Sequence, residues 1–138
     1  MTYKDILLKH EGLRLKPYED TKGILTIGVG RNLRDNGISE EEAEFMLEND
    51  IVSTLQDLRK VFDDFDTFPY NVKLVLVDMM FNLGMDRFLG FKKMIQAVKN
   101  RDWMGMIREM KDSKWCRELT SRCADDVNLI DEMISSAS

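Results

Sequence analysis

Glu11, Asp20 and Thr26 are the first residues along the chain whose types and spacing could do chemistry together. Cleaving a glycosidic bond requires a proton donor at the leaving oxygen. It also requires a second group, across the sugar ring, that places or activates a nucleophile at the sugar carbon. Glu11 could be the donor and Asp20 the group opposite. The Thr26 hydroxyl, which both donates and accepts, could hold a water. Acidic residues are common and usually solvated, so spacing alone leaves plain surface positions as the alternative. The elements that would bring the three together are therefore the next concern.

Tyr3, Ile6, Leu7 and His10 follow the i, i+3, i+4, i+7 spacing of a buried helical stripe, which predicts a first helix ending at Gly12 with Glu11 in its last turn. His10, the sole histidine, lies on that apolar face and reads as a packed structural residue. The period then changes to two: Leu25, Ile27 and Val29 alternate with Thr26, Gly28 and Gly30. One face of this strand is predicted to enter a core, while the Thr26 and glycine face leaves room for something to lie against the backbone. Asp20-Thr21-Lys22-Gly23 supplies turn chemistry, so residues 14–33 read as an antiparallel hairpin or three-strand sheet.

From Ser39 the pattern is helical. Ser39 and Glu42 make a capping box after the Asn36-Gly37 turn, and Met46, Leu47, Ile51, Leu55, Leu58 and Phe62 mark one long apolar face. Further helices are predicted over about 70–82, 91–99, 102–112 and 125–135, broken at Pro69, Gly84 to Gly90, Asn100 and the 113–124 stretch. Met79, Met80, Met94, Met106, Met110 and Met133 sit at helical spacings as core filling. The fold class is α+β with the sheet segregated.

A chain of 138 residues is one ordinary domain, and its net charge of −5 concentrates in residues 36–78. No basic stripe is visible, which argues against a nucleic-acid partner. No apolar run approaches the ~20 residues of a membrane span, so no stable membrane association is expected. Asp5, Lys9 and Glu11 in the first turns break up any signal-peptide core, making a cytoplasmic start the expectation. In that setting Cys116 and Cys123 read as free thiols. One histidine and two cysteines leave little for a metal site, and no cofactor is expected. The acidic run Glu40–Glu42 reads as a helix N-terminus favoured by the dipole.

The run from Glu11 to Gly30, EGLRLKPYEDTKGILTIGVG, closely resembles the active-site block of phage-type lysozymes, glycoside hydrolase family 24. It fits the pattern E-G-x-R-L-x-x-Y-x-D-x-x-G-x-x-T-I-G-x-G throughout. Gly37 to Glu44 is similar to the start of the family's long inter-lobe helix, and Phe81-Asn82-Leu83-Gly84 continues the resemblance, as do Trp103 and Trp115 more loosely. The resemblance implies a two-lobed single domain over 1–138, with a sheet lobe at about 13–38 and an inter-lobe helix at about 39–62. The helical lobe would comprise 1–12 plus 63–138. The connection over Leu33 to Ile38 is short beside that of the family's T-even members, which implies a smaller sheet lobe.

The resemblance also implies roles. Glu11 would be the general acid, kept protonated by an enclosed site, with Asp20 as base or electrostatic support and Thr26 as holder of the attacking water. Gly28 and Gly30 would support the strand. Asn82 and Leu83 would meet the N-acetyl sugar, with a helix end running into Gly84 as the alternative. Arg122 would contact the catalytic acid, or else be a surface arginine. Trp115 is read as a core residue, with the cleft wall as the alternative. Arg31 stands where the family often has histidine, and Asp50 at the acidic partner position. An Arg31–Asp50 ion pair without titration near neutral pH is therefore expected.

The implied activity is hydrolysis of the β-1,4 bond between N-acetylmuramic acid and N-acetylglucosamine in bacterial peptidoglycan. Inversion is expected, with carboxyl groups ~6.5–9.5 Å apart. The implied setting is a monomer made in the host cytoplasm and released to the periplasm by a holin. A lytic transglycosylase and a non-catalytic wall-binding module are the alternatives. Retention of Asp20 and Thr26 argues against the first, and retention of all three groups against the second.

Overall fold

Side chains that satisfy free backbone amides mark the start of several helices in the computed structural model, which describes residues 1–137. Thr2 opens α1 (Tyr3–Glu11) with a capping box, its hydroxyl accepting from the Asp5 amide while the Asp5 carboxylate accepts from the Thr2 amide, both at 3.0 Å. The chain leaves α1 through Gly12 into β1 (Arg14–Glu19), β2 (Leu25–Gly28) and β3 (Arg31–Asn32), an antiparallel sheet in that order. Thr26 lies at its centre, paired with Tyr18 on one side and Asn32 on the other. The Asn32 side chain caps the single turn α2 (Leu33–Asn36), and Gly37 ends it. The expected Ser39–Glu42 box opens α3 (Glu40–Val61): the Glu42 amide donates to Ser39 Oγ at 3.1 Å, and the Ser39 amide donates to Glu42 Oε1 at 2.9 Å.

The chain forms two compact units, Met1–Leu47 and the residues from Glu48 onward. In the first, no hydrophobic side chain joins the buried set, which begins at Leu58. The stripe of α1 expected to be buried is exposed, with Tyr3 at 91% and Leu7 at 54%, and His10 on it is exposed as well. The expected faces of β2 are likewise exchanged. Thr26 is buried, while Leu25 and Val29 are exposed and Ile27 is half-buried. A unit of this size has much surface for its volume. Its apolar residues instead line an open groove that includes Leu15, Ile27, Val29, Ile38, Phe45 and Met46.

The second unit holds the core. A 3-10 turn (Phe65–Thr67) leads into α4 (Tyr70–Leu89), α5 (Lys92–Lys99), α6 (Trp103–Lys111), α7 (Lys114–Glu118) and α8 (Thr120–Ala137). As expected, the helical backbone is interrupted at Gly84, with φ 77° and ψ 168°, so that α4 consists of two helical stretches joined at a kink. The expected break over 113–124 contains α7 and the start of α8. Phe62 packs edge-on against Phe68 and Phe88, with ring centroids 5.6 and 6.3 Å apart. The methionines expected in the core are buried, except Met133, which is half-buried. Each such large side chain contributes roughly 1.5–3 kcal/mol.

Cys116 and Cys123 form a disulfide, which corrects the expectation of free thiols. On one straight helix, residues this far apart would be separated by about 10 Å. The chain instead turns at Leu119, between α7 and α8, and brings their Cα atoms to 5.1 Å.

Polar ties join α4 to α8. The Asn71 amide donates to the Leu129 carbonyl at 2.7 Å, and Arg122 grips Asp78 with Nη2 to Oδ1 at 2.6 Å and Nε to Oδ2 at 3.0 Å. Asp126 lies beside this pair, 4% exposed, and its Oδ2 has no hydrogen-bond partner among the described residues. Burial, then the hydrogen bond with Asp78, pushes the Asp126 carboxyl from 3.8 up to about 8. The folded protein thus holds a proton that the unfolded chain releases in mild acid. The associated stability is present in acid and is lost as pH rises from about 4 toward about 8. Asp126→Asn is expected to flatten that slope and to exceed the parent above about pH 8 by about 1–3 kcal/mol, read as urea midpoints across this range.

Candidate active site

Glu11, Asp20 and Thr26 all fall in the N-terminal unit, on the end of α1 and on the β1–β2 hairpin. One oxygen of Asp20 organises the hairpin turn. Oδ1 accepts from the Lys22 amide at 2.8 Å and from the Ile24 amide at 2.9 Å. The Ile24 carbonyl in turn accepts from the Asp20 amide at 2.9 Å and from Thr26 Oγ1 at 2.8 Å. The backbone polar groups of Ile24 therefore tie the carboxylate and the hydroxyl into one rigid arrangement. No sequence signal marks Ile24, because it acts through its backbone.

These bonds have chemical consequences. The Ile24 and Lys22 amides hold the Asp20 carboxyl below its ordinary range, so it is a carboxylate at any ordinary working pH. Among the described residues none donates such a bond to Asp20 Oδ2. With its proton committed to the Ile24 carbonyl, the Thr26 hydroxyl is left with a lone pair that can accept a hydrogen from a water.

Glu11 lies against the β2–β3 turn. A methyl group at Gly30 would sit 2.6 Å from Glu11 Oε2, so only a glycine leaves the side chain this space. Gly30 also has φ +65°, and Gly28, expected as a support, has φ +70°. The enclosed setting expected for Glu11 is absent: the residue is exposed.

The expected Arg31–Asp50 pair is replaced by Arg31–Glu42, with Nη1 to Oε1 at 2.6 Å. The Ser39 cap already fixes the Glu42 carboxylate at the first turn of α3, just after the short connection from β3. The Arg31 hydrogen bond, followed by those from Ser39, lowers the Glu42 carboxyl to about 2, and Arg31 is shifted upward. The pair that forms thus does not titrate near neutral pH, as was expected of its counterpart.

In the helical unit, Asn82 and Leu83 line a cleft of about 920 Å³ with Phe91, Trp115 and Leu119. Trp115 is 6% exposed, as expected of a core residue, yet it also forms part of this wall. Its Nε1 donates to Asn82 Oδ1 at 2.9 Å. An indole N–H can only donate, so the bond fixes which way the amide points and leaves Asn82 Nδ2 as a donor. Lys92, Lys93, Lys114, Glu109, Asp112 and Glu118 give the rim charges of both signs. Arg122 is committed to Asp78 within its own unit. Asp78 and Asp126 carry no motif and gain their interest only from long-range packing. Among the described residues there is no cluster suited to a metal, and no helix is long and apolar enough to cross a membrane.

The sequence model of the phage lysozyme family, described as "Phage lysozyme", matches residues 8–124, a span that takes in the hairpin, α3, the cleft wall and Arg122.

The chain belongs to the phage lysozyme family.

Two proteins of Dictyostelium discoideum, probable T4-type lysozymes 1 and 2, are each 24% identical to it. They cover 93% and 86% of this chain and 92% and 87% of their own lengths. The pre-baseplate central spike protein Gp5 of Enterobacteria phage T4 is 27% identical over 90% of this chain, which spans 26% of that protein. Membership in the phage lysozyme family suggests a lysozyme-like glycoside hydrolase and implies peptidoglycan as substrate.

Two substitutions test the geometry. Gly30→Ala is expected to displace Glu11 and to cost roughly 1–2 kcal/mol of stability through the left-handed backbone. Its hydrolytic rate should fall at least tenfold at a temperature where calorimetry finds the protein folded. Asn82→Asp keeps the oxygen for Trp115 but removes the free donor. It should weaken substrate binding about tenfold while leaving the thermal midpoint within a few degrees.

Proposed function

We propose that this lysozyme-family chain is a muramidase that hydrolyses the β-1,4 bond between N-acetylmuramic acid and N-acetylglucosamine with inversion. The observation that carries this reading is the pair of bonds by which Ile24 holds the Asp20 carboxylate and the Thr26 hydroxyl in one rigid turn. In the proposed reaction Glu11 gives its proton to the leaving oxygen. Thr26 accepts a hydrogen bond from the attacking water and so turns an oxygen lone pair toward the sugar carbon. Asp20, a carboxylate as the reaction begins, supports the positive charge that develops on the ring and takes the proton of the water as the new bond forms. The exposed Glu11 obtains its enclosure from the glycan itself, which excludes water when bound.

A rigidly held water acceptor has no use in transglycosylation, where the muramyl 6-hydroxyl attacks internally, and this favours hydrolysis. Asn82 and Leu83 are assigned to the sugar wall, and Arg122, paired with Asp78, to support of the α4 helix that carries them. The proposed setting is lysis of a bacterial host by a monomer made in the cytoplasm and released to the wall by a holin.

Glu11→Gln should lower the rate of clearing of permeabilised Gram-negative cells by about 10²–10⁴-fold with an unchanged circular dichroism spectrum. Thr26→Ser, which keeps the hydroxyl, should retain more activity than Thr26→Val. A parent protein that clears no cells at any pH would overturn the muramidase reading in favour of a wall-binding module.

A further inference from the structure

The corner between α7 and α8 joins the cleft wall to the core in an unusual way. Trp115, just before Cys116, donates to Asn82, and Arg122, just before Cys123, grips Asp78. Asp78 and Asn82 lie one turn apart on α4. The Cys116–Cys123 bond therefore closes a short loop whose two ends hold consecutive turns of one helix. Helix α7, only Lys114–Glu118, is too short to hold itself by helix cooperativity. Ser113 caps its start, its hydroxyl accepting from the Cys116 amide at 3.1 Å, and at its other end the Leu119 amide donates to the Trp115 carbonyl at 2.8 Å while Thr120 Oγ1 donates to the Arg117 carbonyl at 3.4 Å, bonds made within the corner itself. There the chain turns at Leu119, which itself lines the cleft.

We propose that the Cys116–Cys123 disulfide is a redox-dependent positioning device for the cleft: closed, it holds Trp115 so that the Asn82 amide presents its free donors; open, α7 shifts and the cleft loses affinity for glycan. The inference rests on the reading of this cleft as the peptidoglycan wall. Closure transfers two electrons and two protons from the two thiols to a disulfide oxidant, which leaves as two thiols. A dithiol reductant reverses the exchange by attacking one sulfur and releasing the other as thiolate. Cys116 is half-buried and Cys123 is 1% exposed, so Cys116 is the sulfur open to attack. Such a bond stays open in a reducing cytoplasm and closes in an oxidising compartment, so substrate affinity would follow the compartment.

The test uses the full chain with Trp103→Phe, so that emission comes from Trp115 alone. Oxidised protein, protein reduced with a phosphine, and the Cys116→Ser/Cys123→Ser variant are compared on purified peptidoglycan. Reduction and the double substitution should each raise the apparent KM about tenfold with kcat within about twofold, and shift Trp115 emission to the red. Oxidised glutathione should restore the reduced parent but not the variant. Unchanged KM and emission on reduction would overturn the proposal. Loss of the far-ultraviolet dichroism would also overturn it, because the bond would then be a general clamp on the fold. If the oxidised protein cleaves nothing, the muramidase reading fails separately. Sedimentation with intact peptidoglycan then decides the positioning claim: tighter binding when oxidised supports it, and equal binding overturns it.

Discussion

Asp20 Oδ1 accepts two backbone amides, from Lys22 and Ile24, and most of the N-terminal unit's chemistry depends on that arrangement. The turn between β1 and β2 closes around the carboxylate, which sets the register that pairs Tyr18 with Thr26. That register puts the Thr26 hydroxyl within reach of the Ile24 carbonyl, on a residue already anchored through its amide. A charge-assisted bond from a backbone amide to a carboxylate is stronger than a neutral one. The residue that organises the turn is therefore also the one whose negative charge the proposed chemistry uses. Replacing it would disturb structure and electrostatics together, so a loss of activity on its substitution would say little about its role by itself.

A similar economy appears at Glu11 and in the helical unit. Gly30 supplies the left-handed turn between β2 and β3, and its missing side chain is also what makes room for the Glu11 carboxyl. Gly84 kinks α4 just after Asn82 and Leu83, which line the cleft. Trp115 fills the core with its ring and orients an amide with its one polar atom. Arg122 neutralises Asp78 and so leaves the adjacent Asp126 to be accommodated by holding its proton rather than by ionising.

Elements fixed by neighbouring residues were legible in the sequence. The three-strand sheet, the Ser39–Glu42 cap, the helical run of α3 and the core methionines follow from short-range spacing, although Met46, Leu47 and Ile51 on the expected apolar face of α3 are exposed. The family was legible because the whole frame of the proposed trio, from Glu11 to Gly30, is one continuous string. Features set by choices between distant groups were not legible. Periodicity marks a face as apolar but does not guarantee a cover for it, so the stripe of α1 and the Leu25–Val29 face of β2 are exposed despite strong patterns. Arg31 pairs with Glu42 rather than Asp50 because a cap had already fixed that carboxylate nearby, a fact of three dimensions. The disulfide depends on a turn at Leu119 that no proline or glycine announces.

In the proposed reaction a water held by Thr26, opposite an acid at Glu11, completes the cleavage. Digesting purified peptidoglycan in water enriched in oxygen-18, with mass spectrometry of the released fragments, tests it most directly. One heavy oxygen is expected at each new reducing end of N-acetylmuramic acid. Fragments ending in 1,6-anhydromuramic acid without heavy oxygen would contradict it.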